Sequence, residues 1–76
     1  MRDLLLNNGK TAVFKGHDFW SRPYYQVAMT EERTIMVCCV DLNGTNLHYY
    51  SNQNDPDSDP SFRLRYSYQP RQTTQQ

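Results

Sequence analysis

Glycine is scarce in this chain of 76 residues, with three in all, and cysteine and tryptophan are scarcer still, with two and one. Three glycines are too few for a loop that cradles phosphates, and no nucleophile elbow, HExxH pair or CxxC spacing occurs. No run of about 18 apolar residues exists, so no segment can cross a membrane as a helix. The apolar stretch Leu4-Leu5-Leu6 is too short for the core of a signal peptide, which makes the cytoplasm the expected location. On that expectation the Asn43-Gly44-Thr45 acceptor stays unglycosylated.

The two cysteines, Cys38 and Cys39, are adjacent. Neighbours in a strand point to opposite faces, so they neither bridge one another easily nor aim at one metal. His17 and His48 complete a nominal Cys₂His₂ set, but both thiols lie in the most apolar stretch of the chain, where a cysteine acts as a small hydrophobe. No cofactor or metal is expected, and no enzyme activity. Without disulfides, stability rests on burial alone unless a partner supplies part of it.

Eight cationic and eight anionic side chains sum to zero, but they are not evenly spread. Residues 1–29 carry four cations against two anions, a net of +2. Residues 30–60 carry one cation against six anions, a net of −5, and residues 61–76 add three arginines, +3. The weak mean field excludes a general polyanion binder while leaving room for a basic strip at the C-terminal end.

What the chain has in quantity is tyrosine, six of them, beside three Phe and one Trp. Aromatic and β-branched residues fall in short runs divided by Asn, Gly, Pro and Asp, the pattern of strands and turns. Asn8-Gly9 and Asn43-Gly44 read as two-residue type I′ hairpin turns, since both residue types tolerate positive φ. A short helix over Arg2–Leu6, ended by the first pair, is the rival at the N-terminus. Tyr24–Met29 reads as a strand that turns through Thr30–Arg33 into Thr34–Val40. The latter is apolar on both faces and so is expected to be central and covered on both sides. The last strand alternates, with Phe62, Leu64, Tyr66 and Tyr68 on one face and Arg63, Arg65 and Ser67 on the other. The expected fold is all-β, with at most one short helix: an antiparallel meander of five or six short strands, curled or barrel-like. Residues 1–70 form a single domain, and 71–76 a disordered polar tail.

Three constellations merit functional readings. In Asn54–Pro60, aspartates at 55, 57 and 59 resemble the start of a calcium loop, but Pro60 stands where such a loop needs Gly and Tyr66 where it needs Glu. The simpler reading is a solvated acidic connector. In the segment 17–25, Phe19, Trp20, Arg22, Tyr24 and Tyr25 are the residue types that dominate binding interfaces, and they make this the candidate surface for a protein partner. The alternative is that Trp20 and one tyrosine plug the end of the barrel. Arg63, Arg65, Tyr66, Tyr68 and Arg71 interleave charge and aromatics as single-stranded nucleic-acid binders do. On a regular strand, however, the two kinds of residue face opposite ways. An arginine-bearing edge that stays soluble is the plainer account.

The leading expectation is a small intracellular protein that binds another protein, as an inhibitor, adaptor or accessory subunit. By analogy alone, small phage or mobile-element accessory proteins have this profile. The second expectation is a single-stranded nucleic-acid module. Homodimerisation through the Phe62–Tyr68 edge is a further option, and no membrane partner is expected.

Overall fold

The computed structural model describes residues 3–40 and 45–68. It is all-β: β1 (Leu4–Leu5), β2 (Thr11–His17), β3 (Pro23–Ala28), β4 (Thr34–Cys38), β5 (Asn46–Tyr50) and β6 (Pro60–Ser67). They form one six-stranded antiparallel sheet in the order β1-β2-β3-β4-β5-β6. The sheet curls into a half-barrel whose ends meet at an antiparallel bridge between Leu6 and Tyr68. The Asn7 N–H donates to the Ser67 carbonyl at 2.9 Å beside that bridge. Among the described residues, no helix is long and apolar enough to cross a membrane.

Strand alternation places one row of each strand inside the curl. Leu4, Leu6, Ala12, Tyr25, Val27, Ile35, Val37, Cys39 and Leu47 make the buried core, with Phe14, Met29, Tyr49, Tyr66 and Tyr68 packed against it. Each fully buried branched aliphatic contributes about 1.5–3 kcal/mol, so the chain holds its curl without disulfides. The N-terminal segment is a strand and not the rival helix, because Leu4 and Leu5 pair with Ala12 and Thr11.

Local turn chemistry differs from expectation at the first hairpin. Leu6 donates its N–H to the Lys10 carbonyl at 2.8 Å, and Gly9 to the Leu6 carbonyl at 3.0 Å. This is a three-residue loop, in which only Gly9 takes positive φ, at 89°. The Asn8 side chain instead accepts from the Lys10 N–H at 2.9 Å, which ties the turn from outside and leaves Asn8 in ordinary backbone geometry. The Asn43-Gly44 turn lies outside the described residues, as does the 71–76 tail. Thr30–Arg33 does form the expected turn, and the Thr30 hydroxyl accepts from the Glu32 and Arg33 N–H groups.

The apolar β4 is central, between β3 and β5. It stops at Cys38, two residues earlier than its apolar run, and Val40 is exposed. Ile35 and Val37 face the core, while Cys38 is buried on the opposite face of the sheet. The connection between β5 and β6 also reaches back onto this strand. Gln53, in that connection, lays its carboxamide along β4: Oε1 accepts from the Met36 N–H at 2.6 Å and Nε2 donates to the Met36 carbonyl at 2.9 Å. One side chain thus stands in for a peptide unit where the β4–β5 ladder has stopped.

Candidate functional site

The tip of the β2–β3 hairpin repeats the geometry of the first turn. Asp18 donates its N–H to the Arg22 carbonyl at 3.0 Å, and Ser21 to the Asp18 carbonyl at 2.9 Å. Ser21 occupies the place of Gly9, with φ of 62°. A residue with a side chain is strained there by about 1–2 kcal/mol, so something must hold the loop in place. The Asp18 carboxylate does so. An aspartate at the head of a turn readily accepts from the backbone that follows it, and Asp18 Oδ1 accepts from the N–H groups of Trp20 and Arg22, each at 2.9 Å. Its Oδ2 accepts from Arg22 Nε at 2.6 Å and from the Tyr50 hydroxyl at 2.8 Å.

This carboxylate is fully buried, and Arg22 is only 16 % exposed. Burial alone would raise the Asp18 pKa, but hydrogen bonds from the Arg22 backbone, Tyr50 and the Arg22 guanidinium outweigh it and hold the carboxyl below its ordinary value. The Tyr50 phenol is pushed far up, first by burial and then by its bond to Asp18, so it remains a donor. Arg22 also lies over the Tyr50 ring at 5.6 Å, and Tyr24 packs edge-on against the same ring at 6.4 Å. Cys38 is buried beside this group, and burial raises its thiol pKa, which keeps it protonated. Together these residues form a small second core on the outer face of the sheet.

The tip is also stitched to the acidic connection. Asp57 Oδ1 accepts from the Phe19 N–H at 2.7 Å, the Asp57 carbonyl from Trp20 Nε1 at 3.3 Å, and the Ser58 carbonyl from Arg22 Nη2 at 3.1 Å. The result is a loop fixed from below and from the side while its two aromatic side chains stand out. Phe19 is 75 % exposed and Trp20 62 %. Their rings pack edge to face at 5.1 Å and 88°.

The residues singled out at 17–25 therefore separate into three roles. Phe19 and Trp20 are displayed on the surface, and Trp20 does not plug the barrel. Arg22 and Tyr24 support the loop from below. Tyr25 is 2 % exposed in the main core, edge-on to Phe14, and offers no surface to a partner. Strand parity decides this, since Tyr24 and Tyr25 must point to opposite faces. Asp18 and Tyr50 were not among the candidates from sequence, and Asp57 stood there only in the calcium-loop reading, not as part of this surface. A local cue existed only for Asp18, as an aspartate opening a turn.

The C-terminal candidates are rearranged. Tyr50 pairs with Pro60 and His48 with Arg65, so residues 61–64 of β6 bulge opposite a single residue of β5. The Ser61 hydroxyl accepts from the N–H groups of Arg63 and Leu64, which folds the bulge back on itself. The regular alternation is lost there: Phe62 and Leu64 are 64 % and 54 % exposed instead of facing the core. Arg63 and Arg65 are exposed, while Tyr66 and Tyr68 pack on the core as expected. Arg71 lies outside the described residues. The edge over 61–64 is no flat ladder, and a two-fold strand pairing centred on Leu64 would set arginine against arginine.

Of the three connector aspartates, Asp57 is engaged with the Phe19 N–H, and Asp55 Oδ1 accepts from the Asp57 N–H at 2.9 Å. Among the described residues, no three His, Cys, Asp or Glu side chains converge as metal ligands would. No protein-family model matches this chain, and no curated protein or solved structure matches it either.

Proposed function

We propose that this protein acts by surface recognition, docking the Phe19–Trp20 tip into an apolar recess on another protein as an inhibitor, adaptor or accessory subunit. One observation carries the reading: two large aromatics stay exposed on strained backbone that a buried carboxylate ties down. Keeping such side chains in water forgoes burial worth several kcal/mol, which a fold has no reason to do for its own stability. A tip ordered in advance loses little entropy on binding, and rings of this type are frequent hot spots. The buried Asp18 network is then the cost of presentation, and strain of this sort is often found at sites of function.

The test is capture of partners from extracts of the source cell by the wild type, by Phe19→Ala/Trp20→Ala and by Arg63→Ala/Arg65→Ala. Both exposed sets can be removed with little loss of stability, which urea melts verify. A partner retained by the wild type and the arginine variant but lost from the aromatic variant is the expected result. Identical capture by all three would refute the assignment.

A second reading is favoured by the β6 bulge, where exposed Phe62 stands next to exposed Arg63, with Arg65 beyond it. Such a patch suits a stacked base and flanking phosphates, with Phe62 taking the role foreseen for Tyr66 and Tyr68. It predicts salt-sensitive retardation of a labelled single strand that Phe62→Ala abolishes. Absence of any shift at low salt removes it.

A further inference from the structure

The surroundings of the tip carry information about what it docks into. Phe19, Trp20 and the 51–59 connection form one fixed surface, through the bonds from Phe19 and Trp20 to Asp57 and from Arg22 to Ser58. Within residues 18–22 and 51–59 the exposed charges are Asp55, Asp57 and Asp59. The one cation there, Arg22, is turned inward onto the buried Asp18 carboxylate and neutralised by it. The exposed aromatic pair therefore stands against Asp57, on a connection whose other exposed charges, Asp55 and Asp59, are also acidic.

We infer that the partner site is an apolar recess bordered by lysine or arginine, so that the rings fill the recess while the rim cations face Asp55 and Asp59. This rests on the docking role proposed above and specifies the chemistry of its partner. Charge of this kind sets orientation and association rate and excludes wrong surfaces. An acidic connection repels phosphates, so nucleic acid and anionic bilayers are disfavoured at this face. An arginine has an additional advantage, because its guanidinium can stack on the open faces of Trp20 and Phe19.

Trp20 is the only tryptophan and reports its own contacts. Its fluorescence is to be titrated with three peptides of equal length, alternating leucine with arginine, with glutamine or with glutamate. The expected order of affinity is arginine over glutamine over glutamate. In Asp55→Asn/Asp59→Asn, arginine-peptide affinity should fall about fivefold, with the glutamine peptide unaffected. Asparagine retains the acceptor that Asp55 offers to the Asp57 N–H, so the loop keeps its form. Phe19→Ala should weaken all three peptides. Equal or tighter binding of the glutamate peptide, or an arginine-peptide affinity indifferent to the double substitution, overturns the cationic rim and leaves docking by the aromatics standing. No saturable response to any peptide overturns both.

Discussion

Replacing Asp18 by alanine tests the central structural claim, that one buried carboxylate holds the aromatic tip. The carboxylate accepts four hydrogen bonds, two from backbone N–H groups, one from Tyr50 and one from Arg22. Alanine leaves all four donors without their acceptor, and a largely buried guanidinium without its counter-charge. Loss of one partner of a buried ion pair costs about 3–5 kcal/mol. A chain of 76 residues is stable by roughly 4–11 kcal/mol, so the substitution removes a large share of the total. Asparagine should cost less, about 2–3 kcal/mol, because its oxygen still serves the two backbone donors while the ion pair is lost. Urea denaturation followed by far-ultraviolet circular dichroism reads both. With a slope of about 1 kcal/mol per molar urea for a chain this small, the alanine variant's midpoint falls by about 3–5 M, or the variant fails to fold where the total is smaller. The pH dependence gives an independent check. The folded carboxyl titrates below its ordinary value of 3.8, so the unfolded chain takes up the proton first as pH falls. Its stabilisation is complete above about pH 5 and is lost as pH falls through the folded pKa. The gap between wild type and Asp18→Asn should therefore be constant from about pH 5 to 7 and shrink below about pH 4. A cost under about 0.5 kcal/mol, or a gap that does not narrow in acid, would refute the role given to Asp18.

Ser21→Gly should stabilise the protein by about 0.5–1 kcal/mol, since glycine removes the strain of positive φ at the tip; a destabilised variant would show that the serine side chain contributes more than its strain costs. Gln53→Ala leaves the Met36 N–H and carbonyl unpaired and should cost about 1–3 kcal/mol, with faster hydrogen exchange at Met36 while the β3–β4 turn keeps its protection. Gln53→Glu keeps the acceptor but sets a carboxylate against two carbonyls, so it should be worse than alanine at pH 7 and recover in acid. Cys38 and Cys39 are buried, and burial raises the Cys38 thiol pKa, so both should resist alkylation at pH 8 and react at once in denaturant. Fast modification of the native protein would contradict the outer core around Tyr50.

By itself, the sequence determines that this chain is an antiparallel meander of short strands. Short apolar and aromatic runs, punctuated by turn residues a few positions apart, allow no long helix and no parallel crossover, and such signals are local. The Thr30–Arg33 turn and the central β4 were legible for the same reason. Tertiary structure decided the rest wherever the relevant partner lies far along the chain. Alternation assigns Phe62 and Leu64 to the core only while the ladder is unbroken, and the bulge opposite Tyr49 breaks it. Composition marks 17–25 as a sticky segment but cannot say that Tyr25 turns inward while Phe19 and Trp20 stay out. Parity within β3 turns Tyr25 inward once the strand is in place, while the pose of Phe19 and Trp20 depends on Asp18 meeting Tyr50, 32 residues away, and on Phe19 meeting Asp57, 38 away. The aromatic tip was visible as a string of residue types. Its anchoring, and the acidic surface it shares, exist only once two distant loops are folded against each other.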